Sequence, residues 1–221
     1  MTEATYAALL DLAAAGLLLS AVLVVWRREM SALVRILIAQ GTALAAVPIL
    51  AGLHGGDGVL VAVGAAVLVL RALVLPHLLR RVLRAAGDDD ARETAPVLNT
   101  TTSLLAVALL TVLAYGVSRP VVALAPSPAT RAAPLAFAVV LVAVFSLVTR
   151  RRALSQVVGF LQLDNGIAAL AFLLTLGVPL VVELGASLDV LLAVLVLQVL
   201  TGRMRVKFGG TDLDQLRELH D

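Results

Sequence analysis

Residues Ser155–Thr201 read SQVVGFLQLDNGIAALAFLLTLGVPLVVELGASLDVLLAVLVLQVLT. Asp164, Glu183 and Asp189 are the only charges in this stretch. It is too long for one membrane crossing, because a hydrocarbon core about 30 Å thick is spanned by about 20 apolar residues rising about 1.5 Å each. Leu176-Gly177-Val178-Pro179 divides it, since glycine and proline together favour a tight turn. Two spans result, Ser155–Leu176 and Pro179–Thr201. Five more stretches upstream meet the same criterion: Thr5–Trp26, Ser31–Leu53, Val59–Leu79, Leu98–Val117 and Ala132–Thr149. The expected fold is an all-α, polytopic membrane bundle of seven helices. The first span lacks the basic flank of a signal peptide and follows Thr2-Glu3.

Composition supports a lipid solvent. The chain is 61% hydrophobic and only 14% charged, and its mean hydropathy is +1.02. Soluble domains run at about 45–50% apolar and about 25% charged. There is no cysteine, so neither an iron–sulfur cluster nor a disulfide framework can be built. The three histidines, His54, His77 and His220, are scattered and do not suggest a haem pair. No cofactor or metal site is expected in this chain, nor is nucleic acid an expected partner.

Arginine and lysine mark the cytoplasmic side of a membrane protein. With seven spans, Arg27, Arg28, Arg80, Arg81, Arg84, Arg92, Arg150, Arg151, Arg152, Arg203, Arg205, Lys207 and Arg217 share one side; that is 13 of the 17 basic residues. Arg119 and Arg131 lie opposite, and Arg35 and Arg71 fall inside spans. The bias implies an external N-terminus and a cytoplasmic C-terminus in a multi-pass protein, and arginine outnumbering lysine 16 to 1 reads as high-GC codon usage, so a bacterial inner membrane is expected. Ser118–Arg131 reads as an external, Pro- and Ala-rich loop. A shift of 124 residues brings Arg27 and Arg28 onto Arg151 and Arg152, Ser31 onto Ser155, and Gln40 onto Asp164. This suggests a parallel repeat: a three-helix unit at 1–97, a connecting helix and loop at 98–131, a second unit at 132–202, and a tail at 203–221.

The charges inside spans carry the chemistry. An Asp or Arg at a helix centre costs about 2.5–3.5 kcal/mol on insertion scales, so such residues usually face a bundle interior or a water path. Asp164 lies roughly 18 Å from the cytoplasmic edge, twelve residues beyond Arg152, and Asp189 roughly 21 Å, fourteen before Arg203. Both sit near the midplane. Glu183 and Asp11 lie in the outer half. Arg71 is roughly 13 Å deep, nine residues from Arg80, and can pair with a carboxylate. Gln162 and Asn165 share an arc of the sixth span with Gly159 and Gly166, whereas Asp164 lies off that arc. The expected proton path comprises Asp164, Asp189, Glu183, Arg71, Gln162 and Asn165, with no catalytic residue.

Ser155-Gln156-Val157-Val158-Gly159-Phe160-Leu161-Gln162-Leu163-Asp164-Asn165-Gly166 resembles the "QxxGFLxxENG" stretch of the HyfE family, membrane component E of hydrogenase-4-type complexes. Gly177-Val178-Pro179-Leu180-Val181-Val182-Glu183-Leu184-Gly185, followed by Leu188-Asp189, resembles that family's "GxPLLVELG…xD" segment. Asp212-Leu213-Asp214-Gln215-Leu216-Arg217-Glu218-Leu219 resembles its "LDTDHLREL" tail. The likeness covers about residues 150–221. That family is similar in turn to the K subunit of respiratory complex I and the C subunit of Mrp antiporters, three-helix units with basic inner loops. By that resemblance Asp189 falls on the second of two proton-transferring glutamates. The first falls on Leu161, one turn before Asp164. Aspartate is shorter than the family's glutamate, which implies intervening water.

The resemblance implies a non-catalytic accessory subunit of a complex I-like, energy-converting oxidoreductase of the membrane-bound hydrogenase or formate hydrogenlyase type. Its partners would be the lipid bilayer, antiporter-like membrane subunits and a membrane-foot subunit, with all redox cofactors in other chains. The alternatives are a subunit of an Mrp-type cation/proton antiporter and a structural membrane scaffold.

Overall fold

A computed structural model describes residues 1–86, 98–150 and 153–175. Among these residues the chain is helical throughout, without a β-strand. Six helical stretches are long and apolar enough to cross a membrane. The expected seventh span, Pro179–Thr201, lies outside the described residues, as do Glu183, Asp189 and the tail.

Helix α1, Glu3–Trp26, opens with the Thr2 hydroxyl accepting from the Thr5 amide. It ends where Arg27 turns extended and its guanidinium lies over the Trp26 ring, 5.0 Å from the centroid. Helix α2, Met30–Gly55, ends at Gly56, whose φ of +70° is the left-handed conformation that favours glycine as a helix terminator. Asp57 then caps the next helix, its carboxylate accepting from Val59 N and Leu60 N. These two signals make the second and third spans a tight hairpin.

The third span is a composite. Helix α3, Gly58–Leu68, passes into a π-helical segment, Val69–Val74, and then into α4, Leu75–Ala86. The sequence predicts a regular helix here. A π turn inserts a residue into the helical register and is found frequently at functional sites. Arg71 sits within it.

Helix α5, Thr100–Leu124, is capped by the Asn99 side chain, which accepts from Thr102 N at 2.7 Å. It continues seven residues beyond the expected end at Val117. The helix carries Pro120 in its interior, so most of the expected Ser118–Arg131 loop is helical. The turn is short because Ser127 and Thr130 form a reciprocal capping box, with Pro128 in the first helical turn, that starts α6 (Pro128–Thr149) early. Helix α7, Ala153–Thr175, is the sixth stretch long and apolar enough to cross.

Helices α1, α2, α7 and α6 form a four-helix ring, each packed on the next. The third span packs on the outside of α2, and α5 on the outside of α6. Most of α5 is exposed, including Leu105, Leu109, Val112 and Leu124.

Candidate functional site

Three elements meet at one level: α2, the π segment and α7. On each of them a polar group interrupts an apolar run. On α2, Leu37 and Leu44 flank Gln40; on the third span, Val67 and Leu75 flank Arg71; on α7, Leu161 and Ala168 flank Gln162, Asp164 and Asn165. The two sides of this level belong to separate apolar clusters. One holds Leu44, Val47, Val63, Val67, Ala169 and Phe172. The other holds Val34, Leu37, Leu75, Leu79, Val158 and Leu161. The polar layer is therefore bounded on both sides, along the helix axes, by packed hydrocarbon.

Within the layer the groups are joined. Arg71 Nη1 is 2.6 Å from Asp164 Oδ2 and also donates to Asn165 Oδ1 at 2.6 Å. Asn165 Nδ2 donates to Gln40 Oε1 at 3.2 Å, and Gln40 Nε2 donates to the Leu17 carbonyl of α1 at 3.5 Å. The Arg71 side chain is 1% exposed and that of Asp164 14%. The charged pair thus runs from a closed interior to a partly open edge. A buried pair of this kind survives only if geometry and further hydrogen bonds offset desolvation, and Asn165 supplies one such bond.

Close packing brings Arg71 to this position. A Cβ built on Gly41 would lie 2.8 Å from the Arg71 carbonyl oxygen. Any larger residue would push the π segment away from α2. Gln162 is fully buried, and neither polar atom of its amide has a hydrogen-bond partner among the described residues. An unmet buried polar group costs about 1–3 kcal/mol, so retaining one calls for an explanation.

Of the sequence-predicted residues, Asp164, Arg71 and Asn165 come into direct contact. Gln162 lies on the same helix at the same level, without a hydrogen-bond partner among the described residues. Asp11, His77 and Arg35 are exposed and take no part in the layer. Gln40 is a site residue that the sequence-based selection left out. Its signal was present, because the repeat alignment sets it opposite Asp164, the immediate neighbour of its observed partner. Among the described residues no cluster of His, Asp or Glu has the makings of a metal site.

A second buried arginine has a different role. Arg150, which follows α6, donates to the carbonyls of Val24 at 2.6 Å and Arg27 at 3.0 Å. It satisfies carbonyls that the end of α1 leaves without an intrahelical donor. Arg150 was expected first as a topology signal and second as part of an ion-path entrance, and it also ties α6 to α1.

The chain is 58% identical over 221 residues, the full length of both proteins, to the uncharacterized protein Rv0085 of Mycobacterium tuberculosis. The chain belongs to the family of that protein. No protein-family profile matches it, and no solved structure matches it.

Proposed function

We propose that this family member is a non-catalytic subunit of a complex I-like, energy-converting oxidoreductase, of the membrane-bound hydrogenase or formate hydrogenlyase type. In this reading the chain has seven spans, an external N-terminus, a cytoplasmic C-terminus, and two three-helix units joined by residues 98–131. It contributes acids to a proton path running in the plane of the membrane between larger subunits. One observation carries this reading. Asp164, Arg71, Asn165 and Gln40 form a joined polar layer closed by hydrocarbon along the helix axes and partly open at Asp164. A layer with that shape favours lateral transfer over a pore normal to the membrane. Asp164 exchanges its proton at the open edge, while Arg71 stabilises the charged form. Asp189 and Glu183 would extend the path.

The contact between Asp164 and Arg71 also favours a second reading, a structural scaffold in which the pair holds the third span to α7. One experiment separates the two. Asp164→Asn and Asp189→Asn are introduced together into the native assembly, and proton translocation is measured in vesicles alongside subunit content. Loss of translocation in a fully assembled complex is the expected result. Translocation at the native rate sinks the proton-path reading, and loss of assembly favours the scaffold.

A further inference from the structure

Where α1 and α6 end and α5 begins, a small, partly open pocket lies away from the Asp164 layer. Its polar lining is Arg28, Thr100, Ser103, Ser146, Thr149 and Arg150, and no carboxylate is among its lining residues. Its enclosed space is about 20 Å³, room for one oxygen atom the size of a water. Arg28 Nη2 donates to Thr100 Oγ1 at 3.0 Å, so that hydroxyl keeps its own proton to give elsewhere. Thr100 is also the first residue of α5, the helix end that favours negative charge. The carbonyls of Val24 and Arg27 hold the Arg150 guanidinium at the pocket wall.

Basic side chains and a helix start do not by themselves make a site. Ser146 adds the independent observation. It lines the same space and is 1% exposed, yet its hydroxyl has no hydrogen-bond partner among the described residues. Leaving such a group unmet costs about 1–3 kcal/mol, which an acceptor oxygen in the pocket removes. The two guanidinium groups favour a charged oxygen there over water. We infer that this pocket binds a phosphate group, with one oxygen accepting from Ser146 and the rest of the group facing Arg28. In a bilayer, Trp26, 50% exposed with the Arg27 guanidinium over its ring, places this end of the bundle at headgroup level. An anionic phospholipid headgroup and free phosphate share the required chemistry. The inference rests on neither the proton path nor a hydrogenase-type assembly.

The test uses the full-length protein in detergent. Affinities for phosphatidylglycerol and, in a separate arm, for inorganic phosphate are taken from the concentration-dependent rise in unfolding temperature. Saturable binding is expected in at least one arm. Arg28→Gln should weaken it about tenfold and Ser146→Ala about threefold, as for a charged and a neutral hydrogen bond. Arg131→Gln, at the opposite end of α6, should not change it. Ser146 has no partner to lose, so Ser146→Ala should keep the ligand-free unfolding temperature and remains readable if Arg28→Gln fails to fold. Phosphatidylglycerol binding that excess inorganic phosphate does not displace assigns the pocket to a lipid; displacement assigns it to soluble phosphate. The absence of saturable binding in both arms, or binding unchanged by Ser146→Ala, overturns the inference and leaves a water site. Binding that arises only when Asp88→Asn, Asp89→Asn and Asp90→Asn are combined overturns it too, because the chain's own acids are then the occupant.

Discussion

Asp164 and Asp11 have the same side chain on two apolar helices, yet their surroundings differ. Asp164 finds Arg71, contributed by a span nearly a hundred residues earlier, and the guanidinium is shared with Asn165. Asp11 faces outward from a stripe of alanines. The difference shows how a membrane chain can use one costly residue type in two ways. Where the counter-charge is internal, the carboxylate belongs to a site within the bundle. Where it is lacking among the described residues, the carboxylate stands apart from that site.

The largest effect should come from breaking the internal pair. Arg71→Ala leaves Asp164 without its cation and Asn165 without a donor. A loss of about 3–5 kcal/mol is expected when one member of a buried pair is removed, seen as a large drop in the detergent unfolding temperature. Adding Asp164→Ala should recover part of that loss, because the stranded charge is removed as well. A smaller effect is expected one link away. Gln40→Leu removes the acceptor of the Asn165 amide, and interhelical hydrogen bonds in membranes average about 0.6 kcal/mol, with a maximum near 1.7. A stability change above that range would show that Gln40 supports the pair itself and not only its neighbour. The smallest effect should be at Asp11. In the isolated chain, Asp11→Ala should change stability by less than about 0.5 kcal/mol, as expected for an exposed position. A clear destabilisation of the isolated chain would mean that Asp11 has an internal role, and the contrast with Asp164 would be lost.

Most of the described architecture was legible in the sequence. Hydrophobic length located the spans, because in lipid an uninterrupted apolar run has helix as its available backbone solution outside closed barrels. The membrane-length apolar stretches of five of the six helical segments, Gly58–Arg81 for the third, fall within a few residues of their expected ends. The exception is α5, where Pro120 suggested a loop and the capping box at Ser127 set the boundary instead. Depth counting was informative too. It put Arg71 roughly 13 Å and Asp164 roughly 18 Å from the same edge, about one helical turn apart, which a long arginine side chain can bridge. Gln40 was harder to see. An uncharged amide raises no flag in a hydropathy reading, and its importance comes from facing Asn165 across the ring.

The sequence by itself determined that this chain carries helices long and apolar enough to cross a membrane, where those helices run, and which charged residues within them must be accounted for. Those features depend on hydrophobicity and rise per residue, which are local properties. The tertiary structure alone decided which of those residues meet. The π segment turns Arg71 toward α7, Gly41 lets its backbone approach α2, and the ring of α1, α2, α7 and α6 brings Gln40 to Asn165. Rotation about a helix axis depends on packing between distant segments. The same packing that gave Asp164 an internal partner left Asp11 facing outward.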